Sequence, residues 1–457
     1  MAKTIGLIST MSCDDTWPQE IVERVSATHG LLKGILGDMG FEVLDEGNLL
    51  RSYKEMSAAG RILRARGIRA LVIYVGTWTY SNCAASAALE AGVPVIIWGD
   101  ATKDALGLVG AAITRGAMAE FGVYANLVYG GFDDADTLKE VKCLLNASCA
   151  AIGLRGQVLG VGGGRSMGMI TAVVDPNEVR VKFGVEIDNF EQFDVIKRAE
   201  AVSEDRARTF FTWMKSRYGS IVPKDEVMLR QIRMYLATRD FCEEKGYDFV
   251  AMKCLPDLPS LYTTFCIAHA ICGDCQDAFG AKARMVFSCE ADLNAALTMQ
   301  IMMLLTGGPV LFTDVIEYDF SDELLYTCNC GSSPTDFARS PKDVDWQIEG
   351  THEFDWISGG TCPQFIARPG EATIARLYRE AGEYGMMIAS AEVVERSKDT
   401  LKEFLWERPH AFMKLKCDRG AFLKSLRSNH IHLAYGDWIA EMEEVCHILG
   451  ITPVVVR

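Results

Sequence analysis

The first hundred residues alternate between two periodicities. Short apolar runs rich in β-branched residues, TIGLIST, FEVLDEG, ALVIYVG and VPVIIWGD, are separated by helical spacing near Glu20–Gly40, Tyr53–Arg66 and Cys83–Ala91. Strands of this kind bury both faces, and intervening helices cover them. The pattern therefore predicts βαβ units around a parallel sheet. In such sheets ligands sit beyond the carboxyl ends of the strands. The tail of the third run, Gly76-Thr77-Trp78-Thr79-Tyr80-Ser81-Asn82, is thus a candidate binding loop. Its aromatic and polar mix suits a sugar face. The alternative is a loop whose Trp78 plugs the domain.

A second block opens with QVLGVGGGRSMGMITAVVD, Gln157–Asp175. Gly160, Gly162, Gly163, Gly164 and Gly168 make a flexible loop after a short strand. The run matches neither the P-loop nor a full dinucleotide fingerprint, so it argues against nucleotide chemistry. A charge-rich helical region, Asn189–Lys245, comes next. YDFVAMKCLPDLP resumes strand character, and an apolar helix is expected over Leu261–Cys272. Beyond about residue 320 the texture changes to short strand-like runs: LLYTCNC, WQIEGTHEFDW, TCPQFIARPG and AFMKLKC. Helical spacing returns at Asp437–Leu449. The expected fold is α/β, with two N-terminal parallel-sheet βαβ domains (1–155 and 156–318) and a β-rich C-terminal domain (319–457).

Charge narrows the partners. The 457 residues carry 46 Lys plus Arg against 61 Asp plus Glu, a net charge of −15 without a basic cluster. Such a chain repels nucleic acid and anionic membrane. No charge-free apolar window of membrane-spanning length occurs. The N-terminal MAKTIGLIST reads as a strand rather than a signal peptide. Fifteen cysteines without an export signal predict reduced thiols and a cytoplasmic protein. Cys272 and Cys275 form C-x-x-C, with Cys266 and Cys289 nearby, but no second knuckle follows. Buried inert thiols are expected there, and likewise for Cys328 and Cys330.

The chemistry concentrates in Ala283–Tyr318, ARMVFSCEADLNAALTMQIMMLLTGGPVLFTDVIEY. MVFSC and VLFT read as strands flanking a helix over Ala291–Leu305. One βαβ unit would set these strands side by side and parallel. Glu290 would then end the first and Asp314 the second, about 5 Å apart in backbone. Carboxylates that close repel unless a cation or proton lies between them. Oxygen ligands suit Mg²⁺ or Mn²⁺. The alternative is that Glu290 caps the helix while Asp314 faces solvent. A third ligand is available in LRSNHIHLAYGDWIAEMEEVCHILG, where His430 and His432 on a strand would share a face. They could chelate as a pair, or act as one ligand and one supporting group, or be core residues.

At these residues the chain resembles the L-fucose isomerase and L-arabinose isomerase superfamily of aldose–ketose isomerases, most closely its L-fucose isomerase-like branch. The resemblance spans most of the chain. It rests on Glu290 with Asp314 following 24 residues later, and on Ser428-Asn429-His430 ahead of Gly436. The glycine element Gly162–Gly168 and the Gly76–Tyr80 loop also match. It implies His430, not His432, as the metal ligand beside Glu290 and Asp314. It also implies Mn²⁺, with Mg²⁺ or Co²⁺ as substitutes, and a substrate-contacting Trp78. A homo-oligomer, hexameric by resemblance, would let a neighbouring N-terminal domain close the pocket. Two features depart from the family. The chain is shorter than the best-known L-fucose isomerases, and Met11–Trp17 has no counterpart to their substrate-contacting arginine.

The implied reaction moves a carbonyl between C1 and C2 of an open-chain aldohexose or deoxy or C6-modified aldose, L-fucose-like or sulfoquinovose-like, through a cis-enediol. Glu290 and Asp314 would exchange protons, and the metal would stabilise charge on O1 and O2. Asn429, Lys253 and Arg165 are further candidate substrate contacts. The rival readings are a non-catalytic sugar-binding or sensing protein and a metal-dependent sugar epimerase or aldolase. A nucleotide-binding oxidoreductase, supported only by the glycine loop, stands behind them.

Overall fold

The computed structural model describes residues 3–13, 17–348, 359–404 and 408–457. Residues 14–16 of the Met11–Trp17 segment and 349–356 of WQIEGTHEFDW lie outside the described residues. The chain divides into two compact units, 1–153 with 440–449, and 154–439 with 450–457.

In unit 1 the expected alternation appears in full. It runs β1 (Thr4–Thr10), α1 (Gln19–Asp38), β2 (Glu42–Leu50), α2 (Tyr53–Ala65), β3 (Leu71–Val75), α3 (Ser81–Ala91), β4 (Val95–Gly99), α4 (Gly107–Glu120), β5 (Ala125–Tyr129) and α5 (Ala135–Gly153). All five strands are parallel, in the order β2-β1-β3-β4-β5. Every residue of β3 and β4 is buried, as a sheet covered on both faces requires. Strand order reverses between β1 and β3, where such a sheet offers its ligand crevice. Two loops meet there, since the Ser12 amide donates to Thr77 Oγ1 at 3.0 Å.

Unit 2 joins a second parallel sheet to a closed antiparallel barrel. Its first half holds β6 (Val158–Gly162), α6 (Pro176–Phe183), β7 (Glu186–Phe190), α7 (Gln192–Ala201), α8 (Glu204–Arg217), α9 (Asp225–Lys245) and β8 (Phe249–Met252). Then come α10 (Asp257–Leu261), α11 (Cys266–Gly273), a small hairpin of β9 (Gln276–Asp277) and β10 (Gly280–Ala281), β11 (Phe287–Cys289) and α12 (Leu293–Thr306). The sheet order is β11-β8-β6-β7, all parallel.

The remaining strands are β12 (Leu311–Asp319), β13 (Leu324–Cys328), β14 (Asp345–Ile348), β15 (Thr361–Gln364), β16 (Gly370–Glu380), β17 (Glu383–Val393), β18 (His410–Leu415), β19 (His430–Tyr435) and β20 (Thr452–Val456). Helix α13 (Arg419–Ser425) precedes β19, and α14 (Ile439–Leu449) follows it. The order β16-β19-β12-β13-β18-β17 closes because β16 also pairs with β17, and β20 adds to β17. Closure removes the exposed edges of an antiparallel sheet. The α/β class with a β-rich C-terminal part is therefore as expected. Among the described residues, no helix is long and apolar enough to cross a membrane.

Helix α12 links the two halves of this unit. It is apolar on nearly every face and almost wholly buried, the signature of a central helix. Asp292 caps its start by accepting from the Ala295 amide at 2.9 Å. Gly307, with φ +69°, ends it.

The expected βαβ unit around α12 does not form. β11 has three residues and pairs only with β8 in the parallel sheet. β12 is nine residues long, turns tightly into β13, and takes antiparallel partners on both sides inside the barrel. A long strand with a hairpin partner satisfies its backbone locally. The crossover therefore joins two sheets rather than neighbours within one.

The glycine run has a packing origin. Gly163 has φ +87°, and a Cβ there would meet Gln192 Cδ at 2.7 Å and Lys253 Cβ at 2.9 Å. Gly164, with φ +69°, faces open space. Gly164→Ala should cost about 1 kcal/mol of backbone strain. Gly163→Ala adds overpacking, for a total of about 2–5 kcal/mol. Urea unfolding of the two variants tests this, and equal losses would contradict it.

Candidate metal centre

Asp314 and His430 face one another across an antiparallel ladder. The register of β12 and β19 pairs them directly, which sets Cβ atoms about 5 Å apart. His430 Nε2 lies 3.4 Å from Asp314 Oδ1. Glu290 comes from the other sheet, in the turn between β11 and α12. Its Oε2 lies 3.2 Å from the same His430 nitrogen. Glu290 and Ala291 both adopt left-handed backbone, with φ +60° and +50°, costing roughly 1–2 kcal/mol each. The two carboxylates implied by the resemblance thus both approach the same His430 nitrogen. They do so where two sheets converge, not at the ends of adjacent parallel strands.

The imidazole is held from behind. His430 is fully buried, and its Nδ1 lies 2.7 Å from Asp292 Oδ2. Asp292 also receives the Arg376 guanidinium at 2.8 and 3.2 Å. Arg376 donates in turn to the Thr171 carbonyl. Burial pushes the Asp292 carboxyl up, but Arg376 and His430 outweigh it and hold the group well below the ordinary carboxylate range. An ionised carboxylate only accepts hydrogen bonds, so Nδ1 keeps its proton, and Nε2 offers a lone pair once its own proton has left. A carboxylate behind the ring is the usual support of a metal-bound histidine.

The opposite side of the ring is a gathering of acceptors. Glu290 Oε2 and His430 Nε2 are buried, and neither has a hydrogen-bond partner despite their proximity. Asp314 is held by two amides, Asn429 at 2.7 Å on Oδ1 and Asn329 at 2.9 Å on Oδ2. Two carboxylates and an imidazole lone pair fit a divalent cation with oxygen and nitrogen preference. The alternative occupant is a proton. Burial pulls His430 down, but its hydrogen bond to Asp292 and the nearby Glu290 and Asp314 carboxylates push it up to about 10.

His432 takes a different role. It is fully buried on the same face of β19, and its Nε2 lies 3.3 Å from Arg376. Burial and that guanidinium drive it well below its ordinary value, so it is neutral. The histidine pair therefore divides its work, one ring toward the carboxylates and one beside the arginine that anchors them.

Asn429 is exposed and reaches Asp314. Lys253 follows β8, whose Met252 is in register with Cys289. It therefore shares the carboxyl edge with Glu290, and its Nζ pairs with Asp257 at 2.5 Å. Arg165 lies exposed in the glycine loop after β6 on that edge. Trp78 belongs to unit 1, half-buried after β3 with its ring 5.0 Å from that of Tyr80. Cys272 is buried and Cys275 exposed, and neither belongs to a metal-donor group among the described residues.

Asp292, Arg376 and Asn329 were not anticipated. For Asp292 a signal was present: an aspartate directly before an apolar helix marks a cap. Arg376 reaches the site from β16 and Asn329 from the turn after β13, neither within a sequence motif.

Residues 327–456 match the family profile described as L-fucose isomerase, C-terminal domain. The chain is 21% identical over 374 residues to a sulfoquinovose isomerase of Alkalicoccus urumqiensis, covering 79% of this chain and 80% of that one. It is 25% identical over 229 residues to a sulfoquinovose isomerase of Clostridium sp. (strain MSTE9), covering 49% and 48%. A shorter match, 37% over 98 residues, links it to the L-arabinose isomerase of Halalkalibacterium halodurans, covering 18% and 20%. These similarities support a place in the L-fucose isomerase and L-arabinose isomerase superfamily.

Two outcomes follow from the geometry. Asp292→Asn should weaken Mn²⁺ binding about 10–100-fold, read by electron paramagnetic resonance on protein with unchanged circular dichroism. Wild-type affinity would contradict the supporting role. A cation must also displace the extra proton of His430, held to about 10. Below that pH, Mn²⁺ binding should release a proton, and its affinity should rise with pH. Calorimetry in buffers of different ionisation enthalpy tests this. Proton-neutral binding at pH 7 would contradict it.

Proposed function

We propose that the protein is a divalent-metal-dependent aldose–ketose isomerase acting on a C6-modified aldose, with Glu290, Asp314 and His430 as metal ligands. The observation that carries this reading is the convergence of unpartnered Glu290 Oε2 and His430 Nε2 beside Asp314. A pure binder has no need of two carboxylates brought to one buried imidazole at the cost of strained backbone.

Isomerisation takes a proton from C2 of the open-chain aldose and returns it to C1 of the enediol, while a proton moves between O1 and O2. A bound Mn²⁺, Mg²⁺ or Co²⁺ would supply Lewis-acid stabilisation of the negative charge developing on the two oxygens. The chain's own residues do the rest. Glu290, nearly buried and without a hydrogen-bond donor on Oε2, is the better base. Asp314, with both oxygens held by Asn329 and Asn429, has its orientation fixed and is the complementary proton carrier. Asp292 keeps the His430 proton on Nδ1, and Arg376 keeps Asp292 ionised.

The substrate class rests on the two relatives named sulfoquinovose isomerase. Arg165 and Lys253, on the carboxyl edge that also carries Glu290, are the candidate contacts for an anionic substituent. Trp78 would pack against the sugar from a neighbouring subunit of a homo-oligomer, a hexamer by family resemblance.

The test is aldose-to-ketose conversion by chelator-stripped protein with and without Mn²⁺. The panel is L-fucose, L-arabinose, L-rhamnose, D-arabinose, glucose 6-phosphate and sulfoquinovose. Turnover of sulfoquinovose that requires Mn²⁺ and is lost in Glu290→Gln is the expected result. Metal-independent turnover, or full activity of Glu290→Gln, would overturn the proposal.

A further inference from the structure

Two thiols stand beside Glu290 that the oxygen and nitrogen donor set does not use. Cys289 ends β11 and is 1% exposed. Cys330, two residues beyond β13, is half-buried. They are 41 residues apart in sequence, yet their Sγ atoms are 4.0 Å apart. One ligand atom each from Cys289, Glu290 and Cys330 lie within 4.8 Å of one another.

That spacing discriminates between two chemistries. Disulfide sulfurs sit about 2.05 Å apart. Two thiolates on one tetrahedral zinc, each about 2.3 Å from the metal, sit roughly 3.8 Å apart. The observed separation is that of a weak S–H···S hydrogen bond between reduced thiols, and it is close enough to the second for both sulfurs to reach one cation with little movement of either chain segment. The Cys330 segment is also held in place. Its carbonyl accepts from Cys266 Sγ at 3.2 Å, and the neighbouring Asn329 is tied to Asp314 and to the Ser332 amide.

We propose that Cys289, Cys330 and Glu290 form a site for a thiophilic divalent cation, Zn²⁺ or Cd²⁺, that shares Glu290 with the Asp314/His430 donor set. Thiolate donors select such cations, whereas carboxylate and imidazole suit Mn²⁺ or Mg²⁺. On binding, two S–H bonds are replaced by two metal–sulfur bonds and two protons pass to solvent. No electrons are exchanged. Three protein ligands leave one tetrahedral position open. Because Glu290 serves both sets, a thiophilic cation that takes its carboxylate removes a ligand from the other set and acts as a brake. This last consequence rests on the proposed isomerase reading, whereas the binding itself does not.

Cd²⁺ titration of reduced, metal-stripped full-length protein, followed by ultraviolet thiolate-to-cadmium charge transfer, tests the site. The band should saturate in wild type, persist in Asp314→Asn and Cys275→Ser, and be lost in Cys330→Ser and Cys330→Ala. In parallel, Cd²⁺ should release bound Mn²⁺ from wild type but not from Cys330→Ser. No band in wild type, or a band of wild-type affinity in both Cys330 variants, would overturn the site. Equal Mn²⁺ release from wild type and Cys330→Ser would overturn the sharing of Glu290. If Mn²⁺ does not bind at all, the isomerase reading fails while the charge-transfer band still decides this one.

Discussion

The candidate site depends on one buried ion pair. Arg376 and Asp292 are 2% and 0% exposed, and Asp292 contacts the guanidinium and the His430 ring together. Two charges this deep are costly to desolvate and survive only with their hydrogen bonds filled. Here the Asp292 carboxylate has three partners: the guanidinium, the imidazole and the Ala295 amide at the start of α12. Removing either charge strands the other, at about 3–5 kcal/mol. The pair therefore does more than stabilise. It fixes the tautomer of His430, the start of α12 and the turn that presents Glu290.

Topology explains why the site lies where it does. A parallel sheet delivers Glu290 at the carboxyl end of its edge strand, and a closed barrel delivers Asp314 and His430 as a cross-strand pair. Helix α12 joins them in fourteen residues that are apolar on almost all sides. Neither sheet alone holds the donor set. This accounts for the non-glycine left-handed backbone at Glu290 and Ala291: the chain must reverse within two residues to aim a carboxylate at the other sheet while starting a helix.

Much of this was legible in the sequence. The alternating runs of the first hundred residues gave the parallel sheet strand by strand, because buried strands need a characteristic composition. Glu290, Asp314 and His430 were picked out by residue type and by resemblance, and the structure brings them together. The segment from β11 to β12 looks like a βαβ unit because local pattern encodes strand and helix but not which sheet a strand joins. Strand pairing is decided by partners more than a hundred residues away, as when β12 meets β19. Arg376, Asn329 and the Cys289–Cys330 pair escaped notice for the same reason, since each is brought in by tertiary closure. The glycine loop after β6 had a plain packing cause that spacing could not reveal.

The central claim is that Glu290, Asp314 and His430 hold a catalytic cation, supported from behind by Asp292. The most direct measurement is an anomalous difference map at the manganese absorption edge from crystals equilibrated with Mn²⁺. The account predicts a peak in direct coordination with a Glu290 oxygen, an Asp314 oxygen and His430 Nε2. Manganese ordered elsewhere, or His430 hydrogen-bonded to both carboxylates with no peak between them at saturating Mn²⁺, would contradict it.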